Sequence, residues 1–131
     1  MAKILVVEDD ALISRMYQKV FESEGYEVFM AVDGQIGLDL ARTKKPTIIL
    51  LDIMMPKLNG LQMLQQLKAD PDIAKIPVIV LTNLSGAQDA ERALELGAVR
   101  YIVKSEHKPK EVFDIVKGIL AGYTRNEIPE T

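Results

Sequence analysis

A chain of 131 residues, 48% apolar and 27% charged, has the size and balance of one globular domain around one core. Its net charge of -3, with Lys and Arg scattered, offers no electrostatic grip on nucleic acid. The lack of cysteine excludes a disulfide, a thiolate metal site and a thiol nucleophile, and the N-terminal apolar stretch is too short for a signal peptide or membrane span, so the expected location is the cytoplasm.

Strand-like and helix-like segments alternate along the chain. Ile4 to Val7 is a continuous β-rich run. A helical pattern follows, with Leu12, Ile13, Met16, Val20 and Phe21 on one face, and Gly25 stops it. Glu27 to Ala31 reads as a second strand, and Asp33 can cap a helix carrying Ile36, Leu40 and Ala41 before Pro46. Ile48 to Leu51 is an all-apolar third strand. Leu61, Leu64 and Leu67 mark a third helix that ends before Asp70-Pro71. Pro77 opens a fourth strand, Val78 to Leu81, and Ser85 or Gly86 starts a helix running to Gly97. Arg100 to Val103 is the fifth strand, and the last helix carries Val112, Phe113, Val116, Ile119 and Leu120.

Strict β-then-α alternation implies a parallel sheet with helices on both faces. The all-apolar first, third and fourth strands belong in the centre, and the mixed second and fifth nearer the edges. Five units are too few for an eight-fold barrel. The expected fold is the α/β doubly wound, flavodoxin-like three-layer (βα)5 sandwich, strand order 2-1-3-4-5, with its switch point between strands 1 and 3. Residues 1–122 are expected to form this domain, and residues 123–131 a frayed tail or the start of a linker.

The strand ends carry the chemistry. Strand 1 ends in Glu8-Asp9-Asp10, strand 3 in Asp52, strand 4 in Thr82 and strand 5 in Lys104. Ligands of open α/β sheets gather at this edge. Carboxylates crowded together repel, and a divalent cation relieves them; Mg²⁺ suits one or two carboxylates with waters or phosphate oxygens in its other positions. With a hydroxyl from Thr82 and an ammonium from Lys104, the parts suit phosphoryl transfer to an Asp oxygen in line.

At this point the chain resembles a response-regulator receiver domain of two-component signalling, of the stand-alone, chemotaxis-regulator-like kind. The likeness covers about residues 3 to 121 and rests on four elements in order. They are Ile4-Leu5-Val6-Val7-Glu8-Asp9, Asp52-x-x-Met55-Pro56-x-x-Asn59-Gly60, Leu81-Thr82, and Gly97-Ala98-x-x-Tyr101-x-x-Lys104. The resemblance implies that Asp52 accepts phosphate from a phosphohistidine on a sensor histidine kinase or phosphotransfer protein. Asp9 would ligate Mg²⁺, Glu8 would help through water, and Asp52 and the backbone carbonyl of Met54 would complete the protein ligands. Lys104 would pair with the phosphoryl group or with Asp52. Thr82 would move to bond a phosphoryl oxygen, and Tyr101 would turn inward behind it. The surface of the fourth helix, fifth strand and fifth helix would meet a downstream target, as a monomer or a weak phosphorylation-dependent dimer. The loops around Asp52 and the start of the first helix would meet the kinase.

Plainer roles stand beside these. Asp9 or Asp10 could cap the first helix, and Asp10 is the better cap. Thr82 suits a strand, Tyr101 could be a half-buried edge aromatic, and Lys104 could be a solvated charge. His107, the one histidine, is expected at the surface near the last helix, and Met54-Met55 is expected to pack in a loop.

The family often places Pro after the Lys, joined by a cis bond; Ser105 stands there, and a non-Pro cis bond costs about 2.5–4 kcal/mol, so a trans bond is expected. Asn83, with apolar Met54 and Leu84 flanking the same site, is expected to slow loss of the phosphoryl group by hindering an in-line water. Two other functions compete with the switch. A metal-dependent aspartyl-phosphate phosphatase usually carries a second Asp two residues after the nucleophile, where this chain has Met54. A phosphate-independent scaffold would not need Glu8, Asp9, Asp52, Thr82 and Lys104 together. No GxxxxGK[ST] loop supports a nucleotide hydrolase. No separate substrate turnover is expected.

Overall fold

The computed structural model describes residues 2–53, 59–83 and 87–126, with residue 87 and residues 123–126 described by backbone alone. In chain order the elements are β1 Lys3–Val7, α1 Ala11–Ser23, β2 Glu27–Ala31, α2 Gly34–Lys44, β3 Ile48–Leu51, α3 Gly60–Ala69, β4 Val78–Thr82, α4 Ala87–Glu95, β5 Arg100–Val103 and α5 Pro109–Asn126. The sheet is parallel with order β2-β1-β3-β4-β5, as the alternation predicts. The all-apolar strands β1, β3 and β4 are central, and β2 and β5 are the edges.

Side chains alternate along each strand and divide the core in two. Leu5, Val7, Ile49, Leu51, Val78 and Val80 face α2, α3 and α4, whose Leu38, Met63, Leu64, Leu67 and Ala93 cover them. Ile4, Val6, Ile48, Leu50, Ile79 and Leu81 face α1 and α5, whose Tyr17, Phe21, Val112, Phe113 and Val116 cover them. Each residue on either side is at most 4% exposed. At roughly 1.5–3 kcal/mol for each large apolar side chain buried, these layers are the main stabilising term.

The helices depart from their predicted faces. The buried residues of α1 are Ser14, Tyr17 and Phe21; Ile13 and Val20 are half-buried, while Leu12 and Met16 are 69% and 44% exposed. Leu12 and Met16 each lie two residues from Ser14, about 200° around the helix. An apolar set that broad cannot all face one sheet, and Phe21 sets the phase by packing edge-on against Phe113 and Tyr26. In α2, Leu38 is buried where Ile36 was predicted, and Ile36 is 39% exposed. The predicted start of α4 at Ser85 or Gly86 lies outside the described residues. This helix ends at Glu95 rather than Gly97, which takes φ +111° in the turn into β5. The last helix runs to Asn126, past the predicted end at Gly122.

No peptide bond among the described residues is cis, so Lys104-Ser105 is trans as predicted. Lys104–Glu106 instead form a single 3-10 turn, closed by the His107 N–H donating to the Lys104 carbonyl at 3.2 Å. No helix of the described residues is long and apolar enough to cross a membrane.

Candidate functional site

Register brings the strand ends together. Val7 pairs with Leu51, and the Asp52 N–H donates to the Val7 carbonyl at 3.0 Å. On the other side of β1, the Glu8 N–H donates to the Ala31 carbonyl at 2.9 Å. Glu8 and Asp52 therefore leave adjacent strands side by side, 4% and 5% exposed. Thr82 pairs with Val103, which sets it beside the start of the Lys104 turn, and it lines the same recess as Lys104. Glu8, Asp9, Asp52, Thr82, Asn83 and Lys104 all line one recess of about 170 Å³, as does Ile13 of α1.

Lys104 is the hub of this recess. Its Nζ donates to Asp52 Oδ2 at 3.0 Å and to Glu8 Oε1. With 9% of its side chain exposed, it is a buried cation between two buried anions. Burial pulls the Lys104 ammonium down, but its hydrogen bonds to Glu8 and Asp52 and their charges more than offset this, so it sits above the ordinary range. Burial also holds Glu8 above the usual carboxylate range; Lys104 and the Asp10 N–H recover part of that, and the nearby Asp52 charge adds to it. One cation does not fully compensate the carboxylates packed around it.

The structure divides the acidic run into three roles. Asp10 is the N-cap of α1, accepting from the Leu12 and Ile13 N–H groups at 2.9 and 3.3 Å, as expected of it. Its own N–H donates to Glu8 Oε2 at 3.1 Å, so the cap also orients Glu8. Asp9 is exposed at the mouth of the recess. One carboxylate oxygen from each of Glu8, Asp9 and Asp52 lies within 4.8 Å of the others. Mg²⁺ holds its oxygens at about 2.0–2.1 Å, so opposite ligands stand about 4.2 Å apart. The oxygen chemistry and spacing of this donor set fit such an ion, with Asp9 the exposed member. The carbonyl of Met54, the other predicted ligand, lies outside the described residues, as does Leu84.

Tyr101 is half-buried on β5 against the α2–α3–α4 side of the core. Burial raises its phenol, with smaller contributions from the charges of Asp89 on α4 and of Asp52. Asn83 is exposed on the recess wall.

Two residues missed or misplaced from sequence border the site. His107, expected at the surface near the last helix, is half-buried at the end of the 3-10 turn, just before α5. It lines a second recess of about 180 Å³, opposite Met16 and Tyr17 and beside Pro109. Tyr17 was not singled out at all, and is 4% exposed. Its place one helical turn after Ile13, and two after the acidic run, was the available signal.

Comparison with known proteins agrees with this geometry. The family model described as "Response regulator receiver domain" matches residues 4–117. The alkaline phosphatase synthesis transcriptional regulatory protein PhoP of Bacillus subtilis is 41% identical over 118 residues, covering 90% of this chain and 48% of that protein. The probable transcriptional regulator ycf27 of Porphyridium aerugineum is 40% identical, again covering 90% and 48%. The chain thus spans about half the length of the curated relatives it matches. Among solved structures, the receiver domain of a signal transduction histidine kinase from Syntrophus aciditrophicus matches with a TM-score of 0.85 at 33% identity, covering 95% and 94% of the two chains. The Vibrio cholerae chemotaxis protein CheY4 matches with a TM-score of 0.84 at 26% identity, covering 89% and 97%.

Proposed function

The chain belongs to the response regulator receiver family of two-component signalling, and from that premise we propose that Asp52 accepts a phosphoryl group and switches the surface of α4, β5 and α5. The observation that supports this most is the Lys104 ammonium bonded at once to Asp52 and Glu8, in one recess with Asp9 and Thr82. The donor is a phosphohistidine on a sensor kinase or phosphotransfer protein, working in the cytoplasm.

The residues divide the work. An Asp52 carboxylate oxygen attacks phosphorus as the donor's N–P bond breaks. Lys104 transfers one of its hydrogen bonds from Asp52 to a phosphoryl oxygen, staying within its present reach. Thr82, at the end of the neighbouring strand, donates its hydroxyl to a second phosphoryl oxygen. Glu8, Asp9, Asp52 and the Met54 carbonyl would hold Mg²⁺, which when bound neutralises charge on the phosphoryl oxygens. Movement of Thr82 frees space that Tyr101 fills, and the new contacts favour a second arrangement of α4. The target binds that face, and the chain turns over no separate substrate.

Intact mass after incubation with Mg²⁺ and a small phosphodonor tests this directly. The parent protein should gain one phosphoryl group, and Asp52→Asn should gain none. Labelling of the variant equal to that of the parent places the acceptor elsewhere.

Asn83 sets the lifetime of that adduct. It is exposed on the recess wall, where its side chain would hinder the approach of an in-line water. Asn83→Ala should speed loss of the phosphoryl group several-fold, followed as decay of the adduct mass. An unchanged decay rate removes Asn83 from this role.

A further inference from the structure

The second recess is an extension of the first. Ile13, Asn83 and Lys104 belong to the walls of both. Beyond them the chemistry changes. The acidic recess gives way to one lined by Met16 and Tyr17 from α1, His107 from the chain before α5 and Pro109 at the start of α5. Its volume is about 180 Å³, which admits a small ring.

Tyr17 gives this recess a polar handle. The side chain is 4% exposed and lines the recess, yet its hydroxyl has no hydrogen-bond partner among the described residues. No buried polar side-chain atom among the described residues lacks a partner, so this hydroxyl reaches the open space of the recess. Burial raises its pKa, with Lys104 countering in part, so the group is a neutral phenol at pH 7. Its oxygen keeps lone pairs for a donor that the described residues do not supply.

We propose that this recess is a leaving-group subsite for an aromatic N-phosphoryl donor, in which the Tyr17 hydroxyl oxygen accepts the N–H of the ring nitrogen that does not carry phosphorus. The proposal rests on Asp52 being the phosphoacceptor. A donor with its phosphorus against Asp52 carries its ring one bond further out, toward the walls that the two recesses share. As the Asp52 oxygen–phosphorus bond forms, the N–P bond breaks and its electron pair stays on the ring nitrogen. The other ring nitrogen keeps its proton, so a protonated phosphoimidazole leaves as neutral imidazole and no outside proton is needed. Tyr17 holds that N–H throughout. An acyl phosphate leaves as a carboxylate, with no N–H to offer and no ring to fill the recess. Tyr17 is thus a specificity-determining residue for the class of donor.

The test compares two small donors, phosphoimidazole and acetyl phosphate, by the rate of Asp52 labelling at fixed Mg²⁺ in the parent and in Tyr17→Phe. Removing the hydroxyl should lower the ratio of phosphoimidazole to acetyl phosphate rates about tenfold, the effect of one hydrogen bond of about 1.4 kcal/mol. Tyr17→Leu, which also removes the aromatic wall, should lower the ratio at least as far. Labelling by acetyl phosphate shows in the same experiment that each variant is folded. A ratio unchanged in both variants overturns the subsite and leaves Asp52 as acceptor. If neither donor labels Asp52 in the parent, the acceptor role fails and the subsite with it.

Discussion

Lys104→Met should cost about 3–5 kcal/mol of folding stability when measured in chelator. The reason is the pair of carboxylates left behind. Glu8 and Asp52 are 4% and 5% exposed, and Lys104 is the cation that both bond. Met fills much of the aliphatic volume but leaves two buried anions facing each other and Asp9. A surface pair broken in this way costs no more than about 1 kcal/mol, so the size of the loss separates a buried hub from a solvated end-of-strand charge. Two conditions sharpen the result. Mg²⁺ held by the same oxygens would supply positive charge to them, and the variant's site is one charge more negative, so saturating Mg²⁺ should stabilise the variant more than the parent. Acid should help too. Glu8 already sits above the ordinary carboxylate range through burial, and losing Lys104 raises it further. A carboxyl raised in the folded state contributes stability that is complete below its unfolded value, 4.5, and lost as pH rises through its folded value. The deficit of the variant should therefore shrink as pH falls toward about 4.5 and widen toward neutrality. Denaturant melts at two pH values, with chelator and with Mg²⁺, read all three effects. A deficit below 1 kcal/mol in chelator would mean that the ion pairs contribute little to folding.

The same hub explains what sequence could and could not convey about this chain. Strand order was legible because each strand's burial is written in consecutive residues: Ile48 to Leu51 are apolar without a break, and Glu27 to Ala31 are not. Once the order is set, Glu8, Asp52, Thr82 and Lys104 must share an edge, since each ends a parallel strand. Helix faces were less legible, because an apolar residue on a helix declares only a preference. Leu12 and Met16 share the composition of a core face and still point to solvent, because Phe21 and its two aromatic neighbours fix the rotation of α1 from elsewhere in the chain. His107 and Tyr17 were hard to read for a related reason. Neither belongs to a strand end, and what joins them is a 3-10 turn after Lys104 that the local sequence does not announce.

Gly60 is where the start of α3 meets the end of β3, and among glycines 25, 37, 60, 97, 118 and 122 its change to Ala should be the most damaging. A Cβ built there would stand 2.4 Å from the Asp52 carbonyl oxygen, 2.4 Å from Ile53 Cα and 2.9 Å from Ile53 Cγ2. Two of these three atoms are backbone, so no rotamer relieves the contact. The start of α3 cannot easily give way either. Asn59 accepts from the Gln62 N–H at 3.0 Å while Gln62 Oε1 accepts from the Asn59 N–H at 3.1 Å, a reciprocal cap that pins the first turn. One turn further on, Met63, Leu64 and Leu67 are at most 1% exposed in the core. Moving α3 away therefore opens packing that the domain depends on, and moving β3 displaces Asp52 itself. The expected loss is about 3 kcal/mol or more, at the upper end of overpacking costs. Helix propensity pulls the other way: Ala for Gly inside an unobstructed helix gains roughly 0.5–1 kcal/mol. Gly118 on α5 provides that comparison, being exposed with nothing within 4 Å of a built Cβ. Chemical denaturation should find Gly118→Ala slightly more stable than the parent and Gly60→Ala far less stable. The surviving folded fraction of Gly60→Ala should also label at Asp52 more slowly, because the carbonyl that the new methyl strikes is that of Asp52. If both substitutions stabilise, the close approach of α3 to the end of β3 is not what requires glycine, and the Asn59-Gly60 pair reduces to a helix cap.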